Sequence, residues 1–190
     1  MEYITSSDFH FKDTAVALGK FEGIHRGHQL LMDEVKKQEL HGLRSVVFTF
    51  DRPTRLTLTG DTEYKQIYTK KERREILEKR GIDILIEHPF TKEFAALTPD
   101  RFIREVLVEK VGAKVIVVGT DFHFGKNRSG SIADLEKLEE ECGYHLIVVE
   151  KLQLNGKDIS STRIRASLEK GAMEEAKALL GRNYSVSGEI

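Results

Sequence analysis

The chain has 190 residues, of which 39% are hydrophobic and 32% are charged, with a formal net charge of -1. This composition is typical of one globular domain with a sizeable core, and the near-neutral charge argues against a nucleic-acid partner bound through bulk charge. Cys142 is the only cysteine, which excludes a disulfide framework and a cysteine metal cluster. The chain has no apolar run of membrane-spanning length and no signal-peptide pattern, so we expect no membrane partner and a cytoplasmic location.

Short apolar runs alternate with stretches that have apolar residues at helical spacing. Strands are predicted at 14–18, 45–50, 82–86, 114–119 and 145–149. This alternation indicates an α/β fold, and we expect a doubly wound, Rossmann-like sheet of five parallel strands. If these strands are ordered third, second, first, fourth, fifth, ligands should bind in the crevice between the first and fourth strands.

The loop after the first strand, 19–28, contains three glycines and two histidines and leads directly into a predicted helix. Glycines let a ligand approach the backbone, and a helix N-terminus offers N–H groups to an anion such as phosphate. His25 and His28 add donors that can carry positive charge near neutral pH. The alternative is an ordinary glycine-rich turn with surface histidines. Two histidines without a third ligand are a weak indication of zinc, and we predict no metal ligand.

Two further loops contain unusual residues. Residues 119–131, after the fourth strand, combine Asp121, Phe122 and Phe124 with two basic residues and three glycines. Aromatic rings can pack a flat ligand, a carboxylate can accept from a ribose or adenine donor, and cations can meet phosphate; the alternative is that both phenylalanines are core residues. Residues 51–64, after the second strand, form a long loop that we expect to act as a lid. The cations of the next helix, at 70–74, are expected to form a solvated face.

A third motif begins a predicted helix near residue 160. Its hydroxyls are typical of an N-cap. Arg165 lies in the first turn, where a cation opposes the helix dipole, so we expect an anion to offset it. Arg163 is expected on the surface.

These motifs resemble signatures of the adenylyl- and cytidylyltransferase superfamily. The residues from His25 to His28 match H-x-G-H, and 159–165 resembles I-S-S-T-x-I-R. The fuller first motif and the loop 121–125 resemble, within that superfamily, the FMN adenylyltransferase module of the bacterial riboflavin kinase/FAD synthetase family. Glu22 stands where that family usually has aspartate, and Lys20 where asparagine is common.

The resemblance implies a nucleotidyltransferase fold in which ATP and FMN react to give FAD and pyrophosphate, with Mg²⁺ bridging the phosphates. It assigns catalysis to His25, His28 and Arg165. It assigns ATP binding to Gly19, Phe21, Gly23, His25, His28, Asp121, Ser161, Thr162 and Arg165. The FMN candidates are Phe50, Asp51 and Phe124.

The resemblance also divides the chain. Residues 1–181 are predicted to be the adenylyltransferase domain, and 182–190 resemble the opening of a riboflavin kinase domain. We expect no kinase activity from this chain, and a terminal strand at 184–190 that frays or lies on the surface. Two alternatives stay open, which are transfer to another phosphorylated acceptor, such as nicotinate mononucleotide or phosphopantetheine, and a nucleotide-binding regulatory module without turnover. The sequence does not indicate an oligomeric state.

Overall fold

The computed structural model describes residues 1–52 and 65–186 of the chain. The predicted lid at 51–64 therefore lies outside the described residues except for its first two positions. The predicted terminal strand lies outside them from residue 187 onward.

The central sheet has six parallel strands in the described ranges. They are β1 Glu2–Ile4, β2 Thr14–Leu18, β3 Arg44–Phe50, β4 Ile84–His88, β5 Ala113–Gly119 and β6 His145–Val149. Their order across the sheet is β1-β4-β3-β2-β5-β6, and every neighbouring pair is parallel. The α/β class is confirmed, and the last five strands have the order that was considered as a condition for the crevice.

The predicted number of strands is wrong, because β1 adds a sixth strand at the edge beside β4. β1 has only three residues, which is too few to show a periodic pattern. Backbone pairing with β4 holds it, and the Tyr3 hydroxyl donates a hydrogen bond to the buried carboxylate of Glu87. This partner lies 84 residues further along the chain, so no local pattern reveals the strand.

Helices cover both faces of the sheet. They are α1 Arg26–Lys37, α2 Lys70–Lys79, α3 Lys92–Ala95, α4 Pro99–Arg101, α5 Ile132–Cys142, α6 Ser161–Glu169 and α7 Met173–Leu180. A π-helical segment, Phe102–Lys110, continues directly from α4. Short 3-10 turns occupy Gln38–His41 and Lys126–Arg128, and an antiparallel hairpin of β7 Gln153–Leu154 and β8 Lys157–Asp158 precedes α6.

The strand β2 is the centre of the sheet and contributes to a core on each face. Val16 and Leu18 pack in the cluster that includes the π-helical segment and α5, whereas Ala15 and Ala17 pack in the cluster that includes α1. β2 pairs with β3 on one side and with β5 on the other. The loops after β2 and β5 therefore meet at the carboxyl edge of the sheet, where the winding direction reverses.

A third cluster places the C-terminal helices against this edge. Ile164 of α6 and Leu180 of α7 pack with Ile67 and Tyr68, which precede α2. Ile67, Ile164 and Leu180 also surround Gly23 in the loop after β2. The cluster thus brings the start of α6 beside the glycine- and histidine-containing loop.

Candidate active site

The turn between β2 and α1 is buried and tightly folded. Phe21 and Ile24 have left-handed backbone angles, with φ of 46° and 42°, and both side chains are fully buried. A β-branched residue such as Ile24 rarely adopts this conformation, so the packing around it must hold it there. At Gly23, a Cβ atom would lie 3.1 Å from Cδ1 of Ile67, which is closer than ordinary packing. The surrounding core therefore determines the shape of this turn.

His25 and His28 lie at the start of α1. His25 is the N-cap, and its Nδ1 accepts a hydrogen bond of 3.2 Å from the backbone N–H of His28. Because Nδ1 accepts, the proton of the neutral His25 ring is on Nε2. The two rings stack with their centroids 3.6 Å apart and their planes at 14°. Nδ1 of His28 is buried and has no hydrogen-bond partner in the part of the chain that the structure describes.

Both histidines are neutral at pH 7 in this structure. Burial and, second, the charge of Arg182 lower the pKa of His25 to about 4. Burial and, second, the neighbouring His25 lower the pKa of His28 well below its ordinary value. Histidines can carry positive charge near neutral pH, but a charged imidazole at this place loses hydration and faces another cation. The rings instead offer uncharged N–H donors.

Arg165 of α6 forms an ion pair with Glu22 of the turn. Nη1 of Arg165 lies 2.8 Å from Oε2 of Glu22, and the side chains are 22% and 10% exposed. The anion expected beside this arginine is, in this structure, the carboxylate of the protein itself. The contact joins residues 143 positions apart and brings the first and third motifs together.

The start of α6 separates the two arginines of the third motif. Oγ of Ser160 accepts from the backbone N–H of Arg163 at 3.3 Å and caps the helix, while Ser161 is half-buried and Thr162 is exposed in the first turn. The surface position expected for Arg163 is wrong. Its guanidinium pairs with Glu175 at 2.8 Å and donates to two carbonyls of the β7–β8 hairpin. Arg163 thus fastens α6 to its neighbours.

The loop after β5 places Asp121 and Phe124 in different environments. Asp121 is exposed, its Oδ2 lies 3.1 Å from Nζ of Lys151, and its charge acts on His25 by raising the pKa of that ring. Phe124 is only 7% exposed and packs against Phe102 with ring centroids 5.4 Å apart. Phe124 is therefore a core residue in this structure, which was the alternative to a ligand-packing role. Asp121 instead lies near the histidine pair.

A cavity opens beside the turn, at the carboxyl end of β3. Its lining residues come from the β2 turn, the end of β3 and the start of α2: Lys20, Glu22, Thr49, Phe50, Asp51, Arg52, Gln66, Tyr68, Lys70 and Arg73. Four of these are basic and two are acidic, which favours an anionic occupant. Two predicted flavin residues, Phe50 and Asp51, therefore share a cavity with Glu22, and Phe124 is not among the lining residues.

Two arginines of this region are not identified from the sequence. The solvated face expected at 70–74 is wrong at Arg73, whose side chain is 12% exposed and pairs with the buried Glu87. Leu77, four residues later on the same helical face, is fully buried, and this spacing is a signal that points Arg73 inward. Arg182 donates to the carbonyls of the β2 turn, and no local pattern indicates this contact.

The fold and the site together define the class of the protein. It is a parallel α/β nucleotidyltransferase-type protein, with an H-x-G-H turn at the start of α1 and a serine-, threonine- and arginine-containing helix start beside it. The chain belongs to the FAD synthetase family, whose model matches residues 8–163.

Relatives of known description agree with this family. A bifunctional riboflavin kinase/FMN adenylyltransferase of Buchnera aphidicola is 31% identical over 180 residues, which cover 94% of this chain and 58% of that protein. A putative bifunctional riboflavin kinase/FMN adenylyltransferase of Geobacillus thermodenitrificans is 34% identical over 170 residues, covering 88% of this chain and 89% of that protein. The chain thus spans less than two thirds of the Buchnera relative.

A solved structure is also similar. It is described as a macrolide-efflux protein from Streptococcus pneumoniae, and it superposes with a TM-score of 0.82 at 29% identity, covering 95% of this chain and 72% of that chain. In residues 1–52 and 65–186 of the present chain, no helix is long and apolar enough to cross a membrane.

Proposed function

We propose that this chain transfers the adenylyl group of ATP to FMN, giving FAD and pyrophosphate. The observation that carries the proposal is the Glu22–Arg165 contact of 2.8 Å. This contact brings the turn at residues 19–28, called the histidine turn below, beside the start of α6 at one edge of the sheet. Both elements have helix N-terminal N–H groups and side-chain donors of the kind that bind phosphate. Membership of the FAD synthetase family supports FMN as the acceptor.

In the proposed reaction, an oxygen of the FMN phosphate attacks the α-phosphorus of ATP in line. A new P–O bond forms, the bond from the α-phosphorus to the bridging oxygen breaks, and pyrophosphate leaves with that electron pair. Such reactions depend on positioning and on stabilisation of the charge that develops on the phosphoryl oxygens. No covalent intermediate with the protein is required.

His25 and His28 are proposed to donate hydrogen bonds to the triphosphate and to the transition state. Their neutral rings avoid the cost of burying a charge before ATP arrives, and the phosphate charge would then raise the pKa of both rings in the complex. Preorganised donors of this kind stabilise developing negative charge without reorganising during the reaction.

The other ATP contacts follow from the elements that meet at this edge. Ser161, Thr162 and Arg165 are proposed to bind the β- and γ-phosphates, which compete with Glu22 for the guanidinium. Asp121 is proposed to face the adenosine. The positions 19–23, with Gly19, Phe21 and Gly23, shape the floor of the nucleotide site.

ATP is proposed to enter as its magnesium complex. Within the described ranges, no group of three or more histidine, cysteine, aspartate or glutamate side chains is arranged to hold a metal ion. Magnesium is proposed to arrive as part of the substrate, held by phosphate oxygens and water, and no protein ligand is assigned to it.

FMN is proposed to bind against the residues around the cavity beside the turn, which is itself too small to hold the flavin ring. Phe50 offers an aromatic surface for the isoalloxazine ring and also contacts Phe90, with ring centroids 4.8 Å apart. Lys20 and Lys70 line the same cavity and favour a phosphate dianion there, while Asp51, which accepts from Arg52 and from the backbone N–H of Phe90, is proposed to exchange one of these donors for a flavin or ribityl donor. Phe124 is proposed to support this side from the core.

The test is to incubate the protein with FMN and MgATP, and to follow FAD by chromatography and by the loss of flavin fluorescence, with pyrophosphate release as a second readout. Riboflavin is the matched control, because it lacks the attacking phosphate. Nicotinate mononucleotide and phosphopantetheine test the other acceptors. Tight ATP binding without any of these products would instead support the regulatory module.

The cytoplasm is the proposed location of this reaction.

A further inference from the structure

Arg182, just beyond α7, is bound to the histidine turn. Its Nη2 donates to the carbonyl of Gly23 at 2.8 Å, and its Nη1 donates to the carbonyls of Ile24 at 2.8 Å and Leu180 at 3.3 Å. The guanidinium thus connects the end of α7 to a turn 158 residues earlier in the chain.

The carbonyls that Arg182 holds belong to the strained part of the turn. Ile24 has a φ of 42° and immediately precedes the N-cap His25. Gln29 supports the same place, with its side-chain amide donating to the carbonyls of Ile24 at 2.9 Å and Leu180 at 2.8 Å. A strained backbone persists only where several contacts determine it, and these two side chains provide such contacts.

The arginine itself is firmly placed. Its guanidinium lies over the ring of Tyr68, 5.0 Å from the centroid. The positive charge of Arg182 thus lies against backbone carbonyls of the histidine turn. Arg182 lowers the pKa of His25 and Asp121, on the loop after β5, raises it, while the ring of His28 stacks on that of His25.

We infer that Arg182 is a positioning residue, which sets the backbone of the Gly23–Ile24 turn so that the stacked His25–His28 pair is held in place. This inference rests on the proposed adenylyl transfer for its catalytic consequence but not for its structural one. Arg182 would then be a functional part of the adenylyltransferase domain, so the domain boundary predicted between residues 181 and 182 would lie further along the chain.

Two substitutions separate the effect of the Arg182 charge from the effect of its forked hydrogen bonds. Arg182→Gln removes the charge and the forked donor, whereas Arg182→Lys keeps the charge and loses the fork. We expect kcat to fall by about 10- to 100-fold in both variants with a much smaller change in the KM for ATP, because displaced reacting groups lose rate more than binding. Arg104→Gln is the matched control, since Arg104 is tied to Asp100 and Glu141 on the outer surface.

The titration of His25, followed by NMR in the protein without substrates, is a readout that needs no activity. Removing a nearby cation raises the pKa of a histidine, so Arg182→Gln should raise the pKa of His25 from about 4, and Arg182→Lys should raise it less. The acid limb of the rate profile should move in the same direction.

The outcomes are distinguishable. Unchanged kcat and an unchanged His25 titration in a folded Arg182→Gln protein would overturn the inference. If that variant does not fold, Arg182→Lys decides by the same two measurements. If the wild type makes no FAD, the proposed function fails, while the NMR titration still decides whether Arg182 governs the histidine pair.

Discussion

Oε2 of Glu22 and Nη1 of Arg165 lie 2.8 Å apart, which joins the turn after β2 to the start of α6. The carboxylate occupies one side of the guanidinium that the proposed function assigns to ATP phosphates. When ATP binds, its phosphate must displace the Glu22 carboxylate from Arg165 or share the guanidinium with it. The geometry of the paired N–H donors of the guanidinium sets how well a phosphate competes with the carboxylate.

Arg165→Lys should therefore raise the KM for ATP by about tenfold or more, because one ammonium cannot reproduce a forked, charged hydrogen bond to a terminal phosphate. Arg163→Lys is the comparison within the same helix. Since Arg163 holds Glu175 and the hairpin carbonyls, that variant should lower the unfolding temperature and leave the KM for ATP nearly unchanged. The opposite pattern in steady-state kinetics would exchange the roles of the two arginines.

His28→Ala should reduce kcat by ~10²–10³ while weakening ATP binding by a smaller factor, as is usual when one preorganised donor to the transition state is removed. His25→Ala should behave similarly. Turnover at saturating substrates and calorimetric ATP binding measure the two effects separately. His145→Ala provides the control, since His145 is exposed and pairs with Glu139 away from the turn. A His28→Ala enzyme with wild-type kcat would refute the assignment.

Acid should destabilise the protein through His25. Its pKa is about 4 in the folded protein, against an ordinary value of 6.5, so the unfolded chain binds more protons between these two values. The free energy of unfolding should therefore fall as the pH falls from about 6.5 towards 4, and this loss should be absent above 6.5. Urea unfolding at pH 5 and pH 7.5 measures it. His25→Asn, which can still cap α1, should show a smaller difference between the two pH values, whereas His41→Asn on the exposed 3-10 turn should match the wild type.

Phe50 and Phe124 should respond differently to truncation. Phe50→Ala is expected to raise the KM for FMN and leave that for ATP nearly unchanged, because Phe50 lines the cavity beside the turn. Phe124→Ala is expected to lower the free energy of unfolding by about 3–5 kcal/mol, since its ring is a buried part of the core. Kinetics with each substrate and denaturant unfolding test the pair. A specific loss of FMN affinity in a stable Phe124→Ala protein would place the flavin at Phe124 instead.

Local patterns in the sequence predict the strands β2 to β6 and the loops that follow them. Apolar strand patterns and cap residues are local signals, and strands that alternate with helices favour a parallel sheet. The capping box of α2, formed by Thr69 and by Glu72 at the third helical position, is one such local signal. The motif residues from His25 to His28 and from Ser160 to Arg165 are equally local, and they led to the family.

The contact partners of those residues are visible only in the folded chain. Glu22 beside Arg165, Arg182 on the carbonyls of Gly23 and Ile24, and Tyr3 on Glu87 all join positions far apart in the chain. The charge state of the histidine pair was likewise decided there, because burial and the neighbouring Arg182 lower the pKa of His25, and both depend on packing. A linear pattern records which side chains are present, but burial and long-range pairing arise only when the chain has folded.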